Sequence, residues 1–190
     1  MSRPYRITAL VGSTSTQSRT QVLVDAIVKA LATQVAVDVK LVELSKLGTR
    51  FGAAVLKDQL DAPALSALDQ IEQADLVIAA SPVYKGSYTG LFKHVIDFVG
   101  IDTLVDTPVI LAATGGGDRH ALVVEHQLRP LFGFFRAHTI PTAVYASEAE
   151  LAGYEVSSLA LQERINEAAA QAAQVLRQTG STDALLKRAA

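Results

Sequence analysis

Short apolar runs alternate with amphipathic stretches along the whole chain. Residues 5–11 read as a buried strand closed by Gly12-Ser13. Over 19–33 the apolar positions Val22, Leu23, Ala26, Ile27, Ala30 and Leu31 fall at helical spacing. A second strand is expected over 36–42. Residues 44–62 show no clear period and are expected to form a long loop. Pro63, followed by Leu65, Leu68 and Ile71, predicts a helix with proline in its first turn. A third strand is expected over 75–80, closed by Ser81-Pro82, and then a short helix over 91–99. A fourth strand over 108–113 ends at Thr114 and three glycines. A long helix is expected over 120–137, a fifth strand over 139–145 and a polar loop over 147–157. An Ala-rich helix over 158–178 closes the pattern.

Five strands alternating with helices predict a doubly wound α/β domain, its parallel sheet covered by helices on both faces. The expected order is 2-1-3-4-5, the flavodoxin-like arrangement. Residues 1–178 are expected to form one domain, with 179–190 a tail whose Ala184-Leu185-Leu186 is available to dock on a neighbour. In this topology the loops after strands one, three and four converge at one sheet edge, where such folds bind ligands.

The first of these loops is Gly12-Ser13-Thr14-Ser15-Thr16-Gln17-Ser18-Arg19-Thr20. A helix N-terminus presents free N–H groups and the positive end of its dipole. Hydroxyls and an arginine beside it suit a phosphate monoester. The alternative is an ordinary helix cap made by Ser18. The loop carries neither the Walker pattern nor Gly-x-Gly-x-x-Gly, so a triphosphate or dinucleotide fingerprint is not supported. The second loop, from Ser81 to Gly90, holds Pro82, Val83, Tyr84, Lys85, Gly86, Ser87 and Tyr88. Its glycines let backbone approach a flat ring on which Tyr84 packs; the alternative is a plain turn. The third loop is Thr114-Gly115-Gly116-Gly117-Asp118-Arg119. Its amides suit the edge of a heteroaromatic ring, and a flexible turn capped by Asp118 is the alternative. One loop suited to a phosphate and two suited to a planar ring together predict a mononucleotide such as FMN.

Composition narrows this further. The 190 residues are 49% hydrophobic, enough for one substantial core. The net charge is −2 with no basic block, which argues against a nucleic-acid partner. There is no cysteine, which excludes disulfides and thiolate chemistry. His94, His120, His126 and His138 form no metal-ligand spacing, so no metal is expected. The first apolar run is too short for a signal-peptide core, and no stretch reaches the roughly 18 residues of a membrane span. A cytoplasmic protein without a membrane partner is expected.

These loop residues resemble the NAD(P)H-dependent FMN reductases, in particular the subgroup serving bacterial two-component sulfonate monooxygenases. The resemblance rests on Gly12-Ser13, Ser18-Arg19-Thr20, the run from Ser81 to Gly90, and Ala113-Thr114-Gly115-Gly116. It implies that Ser13, Ser18, Arg19 and Thr20 hold the phosphate. It implies that Pro82, Val83, Tyr84, Lys85 and Ser87 line the flavin and ribityl chain. It implies that Thr114, Gly115, Gly116 and Gly117 face the pyrimidine edge. It further implies hydride transfer from NADH or NADPH, with NADH the first expectation, and no catalytic acid or base. A homodimer or homotetramer is implied, as is transient supply of reduced FMN to a monooxygenase. The rival enzyme on this fold is a quinone or azo-dye reductase that keeps its flavin. The non-enzymatic rival is an electron-carrier flavodoxin, which the modest charge disfavours.

Pro130 falls inside the predicted long helix. It has no N–H to donate, and its ring meets the carbonyl of His126, which a kink or a π-bulge relieves. Members of the sulfonate subgroup resemble this pattern and carry a π-bulge here, typically with tyrosine where this chain has His126. The resemblance implies that His126 marks such a bulge near a subunit interface and governs flavin exchange; a simple kink is the alternative.

Overall fold

The computed structural model describes residues 3–189, with side chains described as far as residue 179. The expected docking of Ala184-Leu185-Leu186 lies outside the described side chains. The strands are β1 (Tyr5–Val11), β2 (Val37–Glu43), β3 (Leu76–Pro82), β4 (Pro108–Gly115), β5 (His138–Thr139) and β6 (Val144–Ser147). The helices are α1 (Arg19–Ala32), α2 (Leu44–Gly52), α3 (Ala62–Glu72), α4 (Gly90–Asp97), α5 (Arg129–Phe134) and α6 (Leu159–Ala189). All strand pairs are parallel, in the expected order β2-β1-β3-β4-β5, with β6 also on β4.

Both faces of the sheet are covered, as the strands' low polarity requires. Leu10, Val77, Ala79 and Leu111 pack with Phe51, Leu68, Phe92 and Phe132 from α2, α3, α4 and α5. Ile7, Ala9, Ile78 and Ile110 pack on the other side with Leu23 and Ile27 of α1 and Ile165 and Ala169 of α6. The one polar side chain buried within β1, Thr8, donates to the Gln70 carbonyl at 2.6 Å, which satisfies it.

Three expectations need correction. Residues 44–62 are not a long loop: α2 and a 3-10 turn (Lys57–Gln59) occupy most of them. The fifth strand is in two pieces, because Pro141 has no N–H for the ladder. β5 pairs with Pro108 and Val109, and β6 with Ala112 to Gly115. Side chains of α6 fill the gap: Gln171 accepts from the Thr142 amide at 3.0 Å, and Arg164 donates to the Ala143 carbonyl at 3.2 Å. The long helix over 120–137 is also broken. A 3-10 turn (Asp118–His120) leads to a π-helical turn (Val124–Leu128) and then to α5. The Arg129 amide reaches back five residues to the Val124 carbonyl, and this widening accommodates Pro130. The π-turn contains His126.

Asp75, just before β3, ties down the amino edge of the sheet. Arg3 grips it with two nitrogens at 2.6 and 3.0 Å, and Arg6 donates from its amide at 2.8 Å and its guanidinium at 3.1 Å. Partial burial pushes this carboxyl up, but those hydrogen bonds outweigh burial and hold it well below the usual carboxylate range. A depressed folded pKa gives stability that is complete above the unfolded value of about 4 and is lost as pH falls through the folded one. Asp75→Asn is expected to cost about 1–2 kcal/mol at pH 7 and less at pH 3. Urea midpoints of both proteins at the two pH values check this; an equal gap at both would refute it.

Candidate functional site

The carboxyl ends of β1, β3, β4 and β6 open into one cleft of about 200 Å³. Its walls include Ser13, Ser18, Arg19 and Thr20 from the first loop, Pro82, Val83 and Tyr84 from the second, and Thr114, Gly115 and Gly116 from the third. Ten of the thirteen residues expected at a ligand are therefore gathered around one space. Lys85, Ser87 and Gly117 stand outside its walls, as does His126, itself exposed in the π-turn.

Local chemistry explains this arrangement. Ser18 is the N-cap of α1, and its Oγ accepts from the Gln21 amide at 3.4 Å. The ordinary capping role is therefore real, and Ser18 lines the cleft as well. Ser13 Oγ accepts from the Ser15 amide at 3.2 Å and so tightens the first loop. The Thr20 and Thr114 hydroxyls share a buried hydrogen bond of 2.7 Å, which fixes the first loop to the third. Thr89 caps α4, accepting from the Phe92 amide at 3.1 Å while donating to the Gly12 carbonyl at 3.0 Å.

The second loop folds back on itself. Tyr84 and Ser87 exchange backbone hydrogen bonds of 2.9 and 3.2 Å. Lys85 and Gly86, at φ 52° and 83°, are the two central residues. Two positive φ values in a two-residue connection are the geometry of a tight hairpin turn, where Gly86 is at ease. The turn leaves Tyr84 half-exposed at the rim of the cleft and puts Lys85 at the tip. Ser87 instead donates to Gln127 Oε1 at 3.1 Å, joining this hairpin to the π-turn.

Tyr145 governs the third loop. Its hydroxyl donates to the Gly117 carbonyl at 2.6 Å. A Cβ at Gly115 would lie 2.4 Å from that hydroxyl, so a larger residue there would displace the Tyr145 ring. Burial pushes the Tyr145 phenol up, and the Asp118 and Glu150 carboxylates add to the shift, so it stays a protonated donor. Tyr145→Phe is expected to lower stability by about 1 kcal/mol and to speed amide exchange at Gly116 and Gly117. Unchanged exchange would mean that the loop is held by other contacts.

Four wall residues were not singled out from the sequence: Ser15, Gln17, Glu148 and Tyr154. Glu148 Oε1 accepts from Arg19 Nη1 at 3.0 Å, and the Arg19 guanidinium lies 5.2 Å from the Tyr154 ring centroid. These contacts join residues far apart in sequence, within a segment that reads as polar loop, so no local pattern announces them.

The donor set fits a flavin mononucleotide. Arg19 Nε is buried without a hydrogen-bond partner among the described residues, a donor left for an acceptor in the cleft. It stands at the N-terminus of a 14-residue helix. A Cβ at Gly116, in the cleft wall, would meet nothing within 4 Å, so packing does not call for glycine there and its backbone is open to a planar ligand.

Comparison with known proteins gives the same picture. The model of the family described as NADPH-dependent FMN reductase matches residues 5–151. The chain is 50% identical over 173 residues to the NADH-dependent FMN reductase SfnF of Pseudomonas fluorescens, covering 91% of this chain and 92% of that one. It is 46% identical over 187 residues to an FMN reductase (NADPH) of Pseudomonas aeruginosa, covering 98% and 99%. Among solved structures, an oxidoreductase from Corynebacterium diphtheriae superposes with a TM-score of 0.80 at 31% identity, covering 93% of this chain and 99% of that one. With its sheet order, its cleft and its relatives in agreement, the chain belongs to the NADPH-dependent FMN reductase family.

Proposed function

We propose that this chain reduces FMN at the expense of a reduced nicotinamide and supplies reduced FMN to a two-component sulfonate monooxygenase. The observation that carries the reading is Arg19, with its buried, unpartnered Nε, at the N-terminus of α1 beside an open glycine loop. The Arg19 guanidinium and the first amides of α1 hold the phosphate, helped by the Ser13 and Ser18 hydroxyls. Pro82, Val83 and Tyr84 bound the ring on one side, and the Gly115 and Gly116 backbone bounds the other. A space of about 200 Å³ takes the phosphate and ribityl chain and leaves the ring at the rim, open to a second nucleotide. Bound FMN supplies the hydride-accepting chemistry. The protein's part is to position that ring and to exclude water, and no side chain is assigned as acid or base. This reading places the chain in the cytoplasm, where reduced nicotinamides are made.

The relative named for NADH is 50% identical and the one named for NADPH is 46% identical. The reading takes NADH as the better donor. Steady-state oxidation of NADH and NADPH by the purified protein, with FMN titrated in, tests it. The expected result is turnover that saturates with added FMN and is faster with NADH. Turnover that ignores added FMN and follows added quinone instead would favour a reductase that keeps its flavin.

The π-turn deepens the reading. Gln127 within it accepts from Ser87 of the hairpin, so movement of the turn reaches the wall that carries Tyr84. His126, exposed beside Gln127, belongs to this exchange device at a subunit interface. His126→Ala is expected to alter FMN affinity and FMN-dependent NADH oxidation; unchanged values would remove it from the account. Exposed Ile101, Leu122 and Phe134 offer apolar surface for a homodimer or homotetramer. Light scattering should give two or four chains, and a monomer would oppose this.

A further inference from the structure

Glu148 is the one acidic side chain among the described residues lining the cleft, and Arg19 is the one basic side chain. The two are paired at 3.0 Å, with side chains 36% (Arg19) and 56% (Glu148) exposed. An ion pair this open adds little to fold stability. Its position is nevertheless set with care. Ser147, the last residue of β6, pairs with Gly115 of β4, and the Glu148 amide donates to the Gly115 carbonyl at 3.0 Å. Ser147 is itself held by Glu150, which accepts from its amide and its hydroxyl at 3.0 Å each. The backbone that carries Glu148 is thus fixed to the glycine loop, and its carboxylate is aimed across the cleft at Arg19. The Tyr154 ring lies against the same guanidinium.

In an anion site this carboxylate acts against the ligand. It neutralises the only cation among the described residues of the walls, and it repels an incoming phosphate dianion. We infer that Glu148 is an affinity-limiting residue: its carboxylate competes with the flavin phosphate for Arg19, so that FMN is held loosely enough to be exchanged at each turnover. The inference rests on the reading that the cleft takes the FMN phosphate. Arg19 trades one acidic partner for another as the site fills, and Glu148 reclaims it as the site empties. A chain that delivers its flavin to another protein gains from such a competitor; one that keeps its flavin does not.

The test is equilibrium binding of FMN and of riboflavin, which lacks the phosphate, to the full chain and to its Glu148→Gln and Arg19→Ala variants. Glu148→Gln keeps the shape and removes the charge. It is expected to lower the FMN Kd about fivefold, to slow FMN dissociation, and to leave riboflavin binding unchanged. Unchanged or weaker FMN binding would overturn the inference, since Glu148 would then only orient Arg19. Equal tightening toward both flavins would overturn it too, because the phosphate would not be involved. Arg19→Ala separates the two levels. If it abolishes the preference for FMN over riboflavin while Glu148→Gln changes nothing, the phosphate site stands and the competition fails. If Arg19→Ala keeps that preference, the phosphate lies elsewhere and the inference falls with the site.

Discussion

Arg19→Ala is expected to raise the FMN Kd about 30-fold and to change riboflavin affinity by less than about threefold. Hydrogen bonds to a charged group are worth about 1.5–3 kcal/mol, and Arg19 supplies the only cation among the described residues of the cleft walls. The substitution also frees the Glu148 carboxylate, which then faces the phosphate without its counter-charge. Both effects act on the phosphate end alone, so the split between FMN and riboflavin is the diagnostic. The fold should survive, because the side chain is about a third exposed and α1 keeps its Ser18 cap. Equal losses for the two flavins would mean that Arg19 supports the ring or the fold and not the phosphate.

Gly12→Ala is expected to destabilise the protein by about 2–3 kcal/mol and to lower Tm by about 5–10 °C. Gly12 leaves β1 against β3, and its amide donates to the Ala80 carbonyl at 2.7 Å. A Cβ there would lie 2.8 Å from Phe92 Cδ2, 2.9 Å from the Ala80 carbonyl oxygen and 3.2 Å from Ser81 Cα. Two of these neighbours are backbone in the middle of the sheet, and Phe92 is fully buried, so none can give way cheaply. The strain would also move the first loop, and FMN affinity should fall with stability. Thermal unfolding measures the first effect. A Tm within about 1 °C of the parent would show that the sheet yields more easily than its packing indicates.

Most of the sheet was legible because its signal is local and repeated. β1, β3 and β4 run as buried segments ending at small or hydroxyl residues, and the helical spacing of Val22, Leu23, Ala26, Ile27, Ala30 and Leu31 matches α1 closely. The failures have physical causes. In α2, Leu44, Gly48 and Phe51 are buried at helical spacing, but Gly48 gives no apolar signal. It is buried because Leu91 of α4 packs so close that a Cβ would lie 2.6 Å from it. Pro141 did announce the break in the fifth strand, and the apolar residues on either side masked it. Pro130 left a kink and a π-bulge open, and the structure has the π-turn; the run from 120 to 137 does not show that the turn leaves an α-helix of only six residues after it.

The candidate site shows the same division. Ser13 and Ser18 stand in the loop after β1, Arg19 opens α1 and Thr114 ends β4, places where hydroxyl and glycine content can be read directly. Lys85, which the resemblance implies at the flavin, stands at the tip of a two-residue turn, a position its neighbours in sequence do not reveal. Glu148, Tyr154 and Tyr145 act through contacts that exist only once β6 has paired with β4. No spacing in the sequence encodes that meeting.

The most direct measurement is a crystal structure of the protein soaked with FMN. The phosphate is predicted at hydrogen-bonding distance from Arg19 and the first amides of α1, with the ring between Tyr84 and the Gly115-Gly116 backbone. A phosphate bound away from Arg19, or a ring lying outside the space between the hairpin and the glycine loop, would contradict the account.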